Sequence, residues 1–518
     1  MPSLSTSPSD VDVQAAPLSA ADGVLVLVAS FVVLAPFVRF AGVAGLYDSQ
    51  RLAELAVLVL GVLLACTASG GRSFWRGAAL LPRAAVAGLL GALGLGLAAS
   101  AGAPAPVYAL AEVGVYVVLV GLALVLAGHW RESAVDVRSV VEVVAVACAA
   151  TCAYVVYSNH IASVSSGGAG WPDTTGAFSN QRQLNQVQLI VLPVMLALAA
   201  RLAGTVGSGL TPRLGTWALR LLSAAHVAAW VASGGRGAGL GFVVGCLVAA
   251  VLYKGEVRAV VRETLIAIAL GLLAYVLVFE GLGGAGGAFE RKTLLSNRNL
   301  DWAASLRIVA DRPLLGVGPM HYAYFSEINA HPHNVALQLA TEWGLPAAGL
   351  VLGTMAWGVR RWLGAARQAA ARPDRQLWRA ALTVALVGSL VSAGFDSFMM
   401  APVLQAWAVL VIAALVVEYE RMRQEVPLGP KPVPTGSAPA GAWRVGVSLA
   451  LVLAVAPPVA VAVRDVPDLD RRVYDRRDWI RLSTQFPRFW AVGTLAPPEG
   501  VDTPQKRRYW PAPDGPRR

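Results

Sequence analysis

Three of the six histidines in the 518-residue chain, His321, His331 and His333, fall within thirteen residues of one another. A neutral imidazole can take a proton from an attacking hydroxyl or orient it. The string HPHNVALQLATEWGLP places His333 and Asn334 at a helix start, with Val335, Leu339 and Trp343 as its apolar stripe and Gly344 with Pro346 as its break. Three arginines stand in apolar or glycine-rich surroundings: Arg182 in TTGAFSNQRQLNQVQL, Arg236 in ASGGRGAGLG and Arg298 in NRNLDWAASLRIVADRP. A guanidinium donates paired, charge-assisted hydrogen bonds and stays ionised, so it suits a phosphate or diphosphate. Plainer roles stay open: a histidine that caps a helix, and arginines that reach lipid headgroups. For a metal, His331 and His333 offer only two ligands, with Asp301, Glu342 and His321 unplaced. Neither a metal nor another cofactor is expected.

The elements that must position these residues are read from apolarity. The chain is 56% hydrophobic and 14% charged, with a mean hydropathy of +0.58. Water-soluble domains run nearer a quarter charged, which excludes an ordinary soluble enzyme. Cys66, Cys148, Cys152 and Cys246 lie in apolar runs without CxxC spacing, against a disulfide framework or zinc cage. Thirteen apolar runs lie near 24–40, 52–68, 84–100, 107–127, 140–157, 184–200, 214–231, 237–253, 264–278, 345–359, 380–393, 402–417 and 445–463. Each approaches the ~20 residues that span a bilayer. The even connections hold 20 Lys and Arg and the short odd ones only Arg51, Arg182 and Arg236, so the N-terminus is placed in the cytoplasm. Residues 1–23 lack Lys and Arg, against a cleavable signal peptide.

The resulting organisation is a polar N-terminus at 1–23, nine helices in 24–279, a long external loop at 280–333, and helices ten to twelve in 334–418. A Pro/Gly linker at 419–443, a thirteenth helix at 444–463 and a basic tail at 464–518 follow. Pro457 and Pro458 leave two readings of the last run, crossing or re-entrant; crossing, with the tail outside, is adopted. In the loop, Trp302, Leu306 and Val309 recur at helical spacing before Pro313, predicting a short helix on the membrane surface.

GAFSNQRQLNQVQLIVLPV, SGGRGAGLG, NRNLDWAASLRIVADRPLLGVGP and HPHNVALQLATEWGLPAAG, in that order, resemble successive landmarks of the bacterial O-antigen ligase superfamily, which includes O-antigen polymerases and pilin-type O-oligosaccharyltransferases. The resemblance covers about 178–357. It implies an all-α, GT-C-like, polytopic inner-membrane protein of about 12–13 transmembrane helices, with one long periplasmic loop between helices 9 and 10. It also implies metal-independent transfer of glycan from undecaprenyl diphosphate to an acceptor hydroxyl on the periplasmic side, with inversion.

By the same resemblance, His333 matches the family's essential histidine, and Arg236 and Arg298 match arginines thought to hold the diphosphate. Arg182, Asn180, His331 and Asn334 are carried as further substrate-binding candidates, and Asn185 belongs to the same polar stretch as Arg182. The acceptor, a protein Ser/Thr, lipid A core or a growing glycan, is not distinguished; the NQRQLNQVQ segment and the tail lean toward protein. The expected partners are the lipid-linked glycan, the acceptor and the bilayer, with no nucleic acid. A transporter or flippase for lipid-linked sugar, and a noncatalytic scaffold, are the rival classes.

Overall fold

The computed structural model describes residues 19–41, 43, 45–133, 135–168, 177–204, 210–282, 298–325, 330–369, 372–396, 400–425, 442–469 and 489–490. Among these no strand occurs and every long element is a helix. In chain order they are α1 (Ala20–Leu34), α2 (Leu46–Ala65), α3 (Ala68–Ala78), α4 (Arg83–Ala101), α5 (Pro106–Glu132), α6 (Val137–Ser165), α7 (Gln181–Gly204) and α8 (Leu210–Ser233). Then come α9 (Arg236–Ala274), α10 (Arg298–Asp311), α11 (Tyr322–Phe325), α12 (Val335–Trp343), α13 (Leu345–Gln368), α14 (Pro373–Ala393), α15 (Pro402–Glu425) and α16 (Ala442–Asp465).

Each of the thirteen apolar runs falls on a helix, and the chain is an all-α polytopic membrane protein. Ten helical segments among the described residues are long and apolar enough to cross a bilayer, or eleven if α2 and α3, bent by 95°, form one span. The count is lower than the twelve to thirteen read from sequence because α8 and α13, though 24 residues each, are not among those segments. The runs at 237–253 and 264–278 are two separate candidate spans, Arg236–Gly255 and Val257–Glu280, that meet at a break where Lys254 takes φ +40°.

Three boundaries differ from the sequence reading for identifiable reasons. Helix α2 begins at Leu46, so Arg51, counted among external loop cations, lies inside a helix and is buried. Helix α15 continues to Glu425, because Arg379 donates to both Glu418 and Glu425 and neutralises its polar last turns. Most of the linker and tail, 426–441, 470–488 and 491–518, lies outside the described residues. Helix α16 continues through Pro457 and Pro458. It packs on α5 where Gly114 leaves room: a Cβ there would sit 2.0 Å from the Ala454 carbonyl oxygen.

Close helix packing positions the functional end. Helices α9 and α14 meet backbone to backbone, since a Cβ on Gly241 would lie 2.4 Å from the Gly388 carbonyl oxygen. Such small-residue contacts let membrane helices approach where apolar burial gives no driving force. The start of α9 is thereby fixed beside the end of α14. The starts of α5, α7 and α12 and the end of α16 gather at the same end of the bundle. There the Ala105 N–H donates to His321 Nε2, and Tyr108 donates to Asp465 over 2.5 Å.

Candidate active site at the convergent helix ends

His333 precedes α12 and takes φ +51°, a left-handed conformation unusual for a residue with a Cβ. The surroundings hold it there. Asn334 caps α12, its Oδ1 accepting from Leu337 N at 3.0 Å, and its Nδ2 donates to the Gly394 carbonyl at 3.0 Å. The Pro332 carbonyl accepts from Trp302 Nε1 at 3.0 Å, tying the HPHN segment to α10. His331 Nδ1 accepts from the His333 N–H at 3.3 Å, and the two rings lie 4.2 Å apart. His331 and Asn334 therefore support the loop that presents His333.

The imidazole of His333 meets Asp396, in the turn after α14, with 3.2 Å between Nδ1 and Oδ1. Burial alone would raise the Asp396 carboxyl. The hydrogen bond and charge of His333, with Arg182 and His331, overcome it and hold the group well below the ordinary carboxylate range. In its neutral form, a His333 hydrogen-bonded to an ionised Asp396 carries its proton on Nδ1, and that tautomer leaves the Nε2 lone pair for a substrate proton.

The three arginines converge on this pair. Arg298 opens α10, and its buried face carries Asp301, Ala304, Ser305 and Ile308. Of the Trp302, Leu306 and Val309 stripe, Leu306 points the other way and is 59% exposed, while Trp302 turns its indole N–H to Pro332. A helix on a bilayer turns apolar residues to lipid, and here the polar face is the one buried against protein. Burial lowers the Arg298 pKa, repulsion from Arg182 and Arg236 lowers it further, and Asp396 and Asp301 oppose the shift. Arg182, Arg236, Arg298, Asp396 and His333 thus share one electrostatic neighbourhood.

The arms that carry Arg182 and Arg236 are also built locally. Asn180 accepts from Arg182 N at 2.8 Å and caps α7. Asn185 donates to Ser233 Oγ at 2.8 Å, joining α7 to the end of α8. Gly235 is required next, because a Cβ there would lie 2.3 Å from Asn185 Oδ1. Arg236 follows as the first residue of α9. Two long helices therefore present their positive N-terminal ends, each with an arginine, to the space before His333.

His321 stands apart from the site. It is fully buried, with Nδ1 against the Pro319 carbonyl at 2.7 Å and Nε2 accepting from Ala105 N at 2.9 Å, so both ring nitrogens are engaged. Asp396 is not among the site residues expected from the sequence. Its signal was a lone acid among apolar residues, GFDSF, between two spans. Among the described residues, no group of three or more His, Cys, Asp or Glu is placed to hold a metal ion.

No curated protein matches the chain. Residues 221–352, from α8 into α13, match the family model described as O-Antigen ligase, which supports the O-antigen ligase superfamily as the family of this chain.

Proposed function

We propose that the chain transfers glycan from an undecaprenyl diphosphate carrier to an acceptor hydroxyl, at the periplasmic face of the inner membrane and without a metal. One observation carries the reading: the His333–Asp396 pair lies within electrostatic reach of Arg182 and Arg298, with Arg236 beside them. An acid–base pair next to clustered cations suits a reaction that removes a proton from an alcohol while negative charge builds on a phosphate. The match of 221–352 to the O-Antigen ligase family model supports the coarser part of this reading, a glycosyltransferase-like ligase activity.

In the proposed step the acceptor oxygen attacks the anomeric carbon opposite the diphosphate. The new carbon–oxygen bond forms, the sugar–phosphate bond breaks, and the configuration inverts. The hydroxyl proton passes to Nε2 of His333, and Asp396 balances the resulting imidazolium. The electron pair of the broken bond leaves with the diphosphate, where Arg182, Arg236 and Arg298 receive the charge. Helix N-termini at α7 and α9 add partial positive charge without a counter-ion. A protein Ser/Thr acceptor or lipid A core is the favoured acceptor class, and chain extension as a polymerase is the alternative within the same chemistry.

The test is His333→Ala in membranes loaded with lipid-linked glycan, with transfer read by mass spectrometry of acceptors. Loss of at least a hundredfold in rate is expected, in line with ~10²–10⁴ for a positioned acid or base. Chelator leaves the wild-type rate unchanged. Transfer at the normal rate in the variant, or loss in chelator restored by a divalent ion, refutes the reading.

A further inference from the structure

The first turns of α2 are polar yet buried. Ser49 and Gln50 are 0% exposed, Arg51 is 2% and Glu54 is 1%. Such a cluster in a membrane-embedded helix is costly unless every group has a use. Its bonds reach outward to four other segments. Gln50 Nε2 donates to the Ala35 carbonyl at 3.0 Å and to the Ala177 carbonyl at 3.1 Å, three residues before the Asn180 cap of α7. Arg51 Nη2 donates to the Met400 carbonyl at 2.9 Å, and Nη1 to Gln405 Oε1 at 2.7 Å. Both acceptors lie just beyond Asp396, at the start of α15. Tyr47 Oη donates to the same Met400 carbonyl at 3.0 Å. Arg51 also pairs with Glu54 and donates from Nε to the Phe489 carbonyl at 3.2 Å.

We propose that Gln50 and Arg51 are positioning residues for the transfer site, each holding one of its two arms. Gln50 fixes the segment that leads into Arg182, and Arg51 fixes the segment that follows Asp396. Because the two side chains are adjacent on one rigid helix, they set the distance between the phosphate-binding arm and the arm that orients His333. The guanidinium is required at position 51 because five donors diverge in fixed directions from one plane. A lysine would keep the charge but could serve only part of this set. The socket closes at the tail, where Phe489 and Trp490 are buried and Trp490 Nε1 donates to Asp465 at 3.0 Å.

The kinetic part of this proposal rests on the function proposed above, so the experiment includes a readout independent of transfer. Arg51→Lys and Gln50→Leu are made in the full chain, and hydrogen–deuterium exchange is followed in peptides covering 177–185 and 400–408. Gln50→Leu is expected to speed exchange at least tenfold in the first region only, and Arg51→Lys in the second only. Binding of undecaprenyl diphosphate is measured in nanodiscs alongside donor kinetics. Gln50→Leu should weaken it about tenfold, whereas Arg51→Lys leaves it within threefold of wild type and lowers kcat at least tenfold.

Equal effects of both variants on both regions, or effects that only track the folded fraction, would overturn the proposal, as would wild-type exchange in both. If the wild-type chain transfers no glycan but the two exchange signatures stay separate, the functional reading fails and the two-arm brace stands.

Discussion

Replacing Asp396 by Asn keeps the size of the side chain and removes its charge. In the wild type the carboxylate accepts from Nδ1 of His333 at 3.2 Å and faces Arg182 and Arg298 as well. The amide can present its NH2 to Nδ1, which moves the ring proton to Nε2 and leaves no lone pair for the acceptor hydroxyl. Losing one hydrogen bond to a charged group costs about 1.5–3 kcal/mol, or roughly 10- to 150-fold in kcat at 1.36 kcal/mol per tenfold. The same change removes an acidic side chain that opposes both Arg182 and Arg298, so the site becomes more positive. Donor KM should therefore stay level or fall while kcat drops, the opposite of what a general loss of structure would do.

The assay is initial-rate transfer in proteoliposomes with varied lipid-linked donor. A kcat within threefold of wild type, or a raised donor KM at unchanged kcat, refutes the argument. The pH behaviour has a definite sign. A carboxylate with a lowered folded pKa stabilises the fold above its unfolded value and loses that contribution only as pH falls through the folded one. The stability gap between wild type and Asp396→Asn should thus be constant above about pH 5 and close only in acid below the ordinary carboxylate range near pH 3.9.

Arg236→Ala and Arg298→Ala should each raise donor KM about tenfold or more, consistent with one lost charge-assisted contact, with a smaller effect on acceptor affinity; titration with undecaprenyl diphosphate checks this, and unchanged binding in both removes the diphosphate clamp. Gly241→Ala should destabilise by about 1–3 kcal/mol, since its new methyl would meet the Gly388 carbonyl at 2.4 Å. Thermal unfolding in detergent reads the loss, and an unchanged midpoint would mean that α9 and α14 do not pack as closely as described.

The helical core was legible because burial in lipid demands long apolar runs, a signal carried by single-residue composition. The candidate site residues were legible in type and order, and their meeting was expected from the family resemblance, since spacing along the chain does not give it. Arg182, Arg236 and Arg298 sit on α7, α9 and α10, and the Asn185–Ser233 bond and the approach of Gly235 to Asn185 bring the first two together. The spacing of Trp302, Leu306 and Val309 announced the loop helix α10, but not that the face carrying Asp301, Ala304, Ser305 and Ile308 is the one buried. A period of 3.6 locates an amphipathic helix without saying whether the lipid or the protein takes the greasy side. His321 shows the converse error, where clustering in sequence suggested chemistry and both ring nitrogens serve the backbone.

Asp396 and the polar start of α2 escaped for one physical reason. Each acts through partners more than sixty residues away, His333 for the first and Ala177 and Met400 for the second. Local periodicity carries no information about such pairs, but the bilayer supplies a different cue. A charged or amide side chain within a few residues of an apolar run must be satisfied by protein if it cannot reach water. Arg51, Glu54 and Asp396 all flank spans in this way, and all three are buried with partners. In a chain with so few charges, the ones that hug span ends at the site end are therefore candidates for positioning work before they are counted as topology signals. That ordering places the start of α2, beside the loop that carries His333, among the parts that the proposed transfer site depends on.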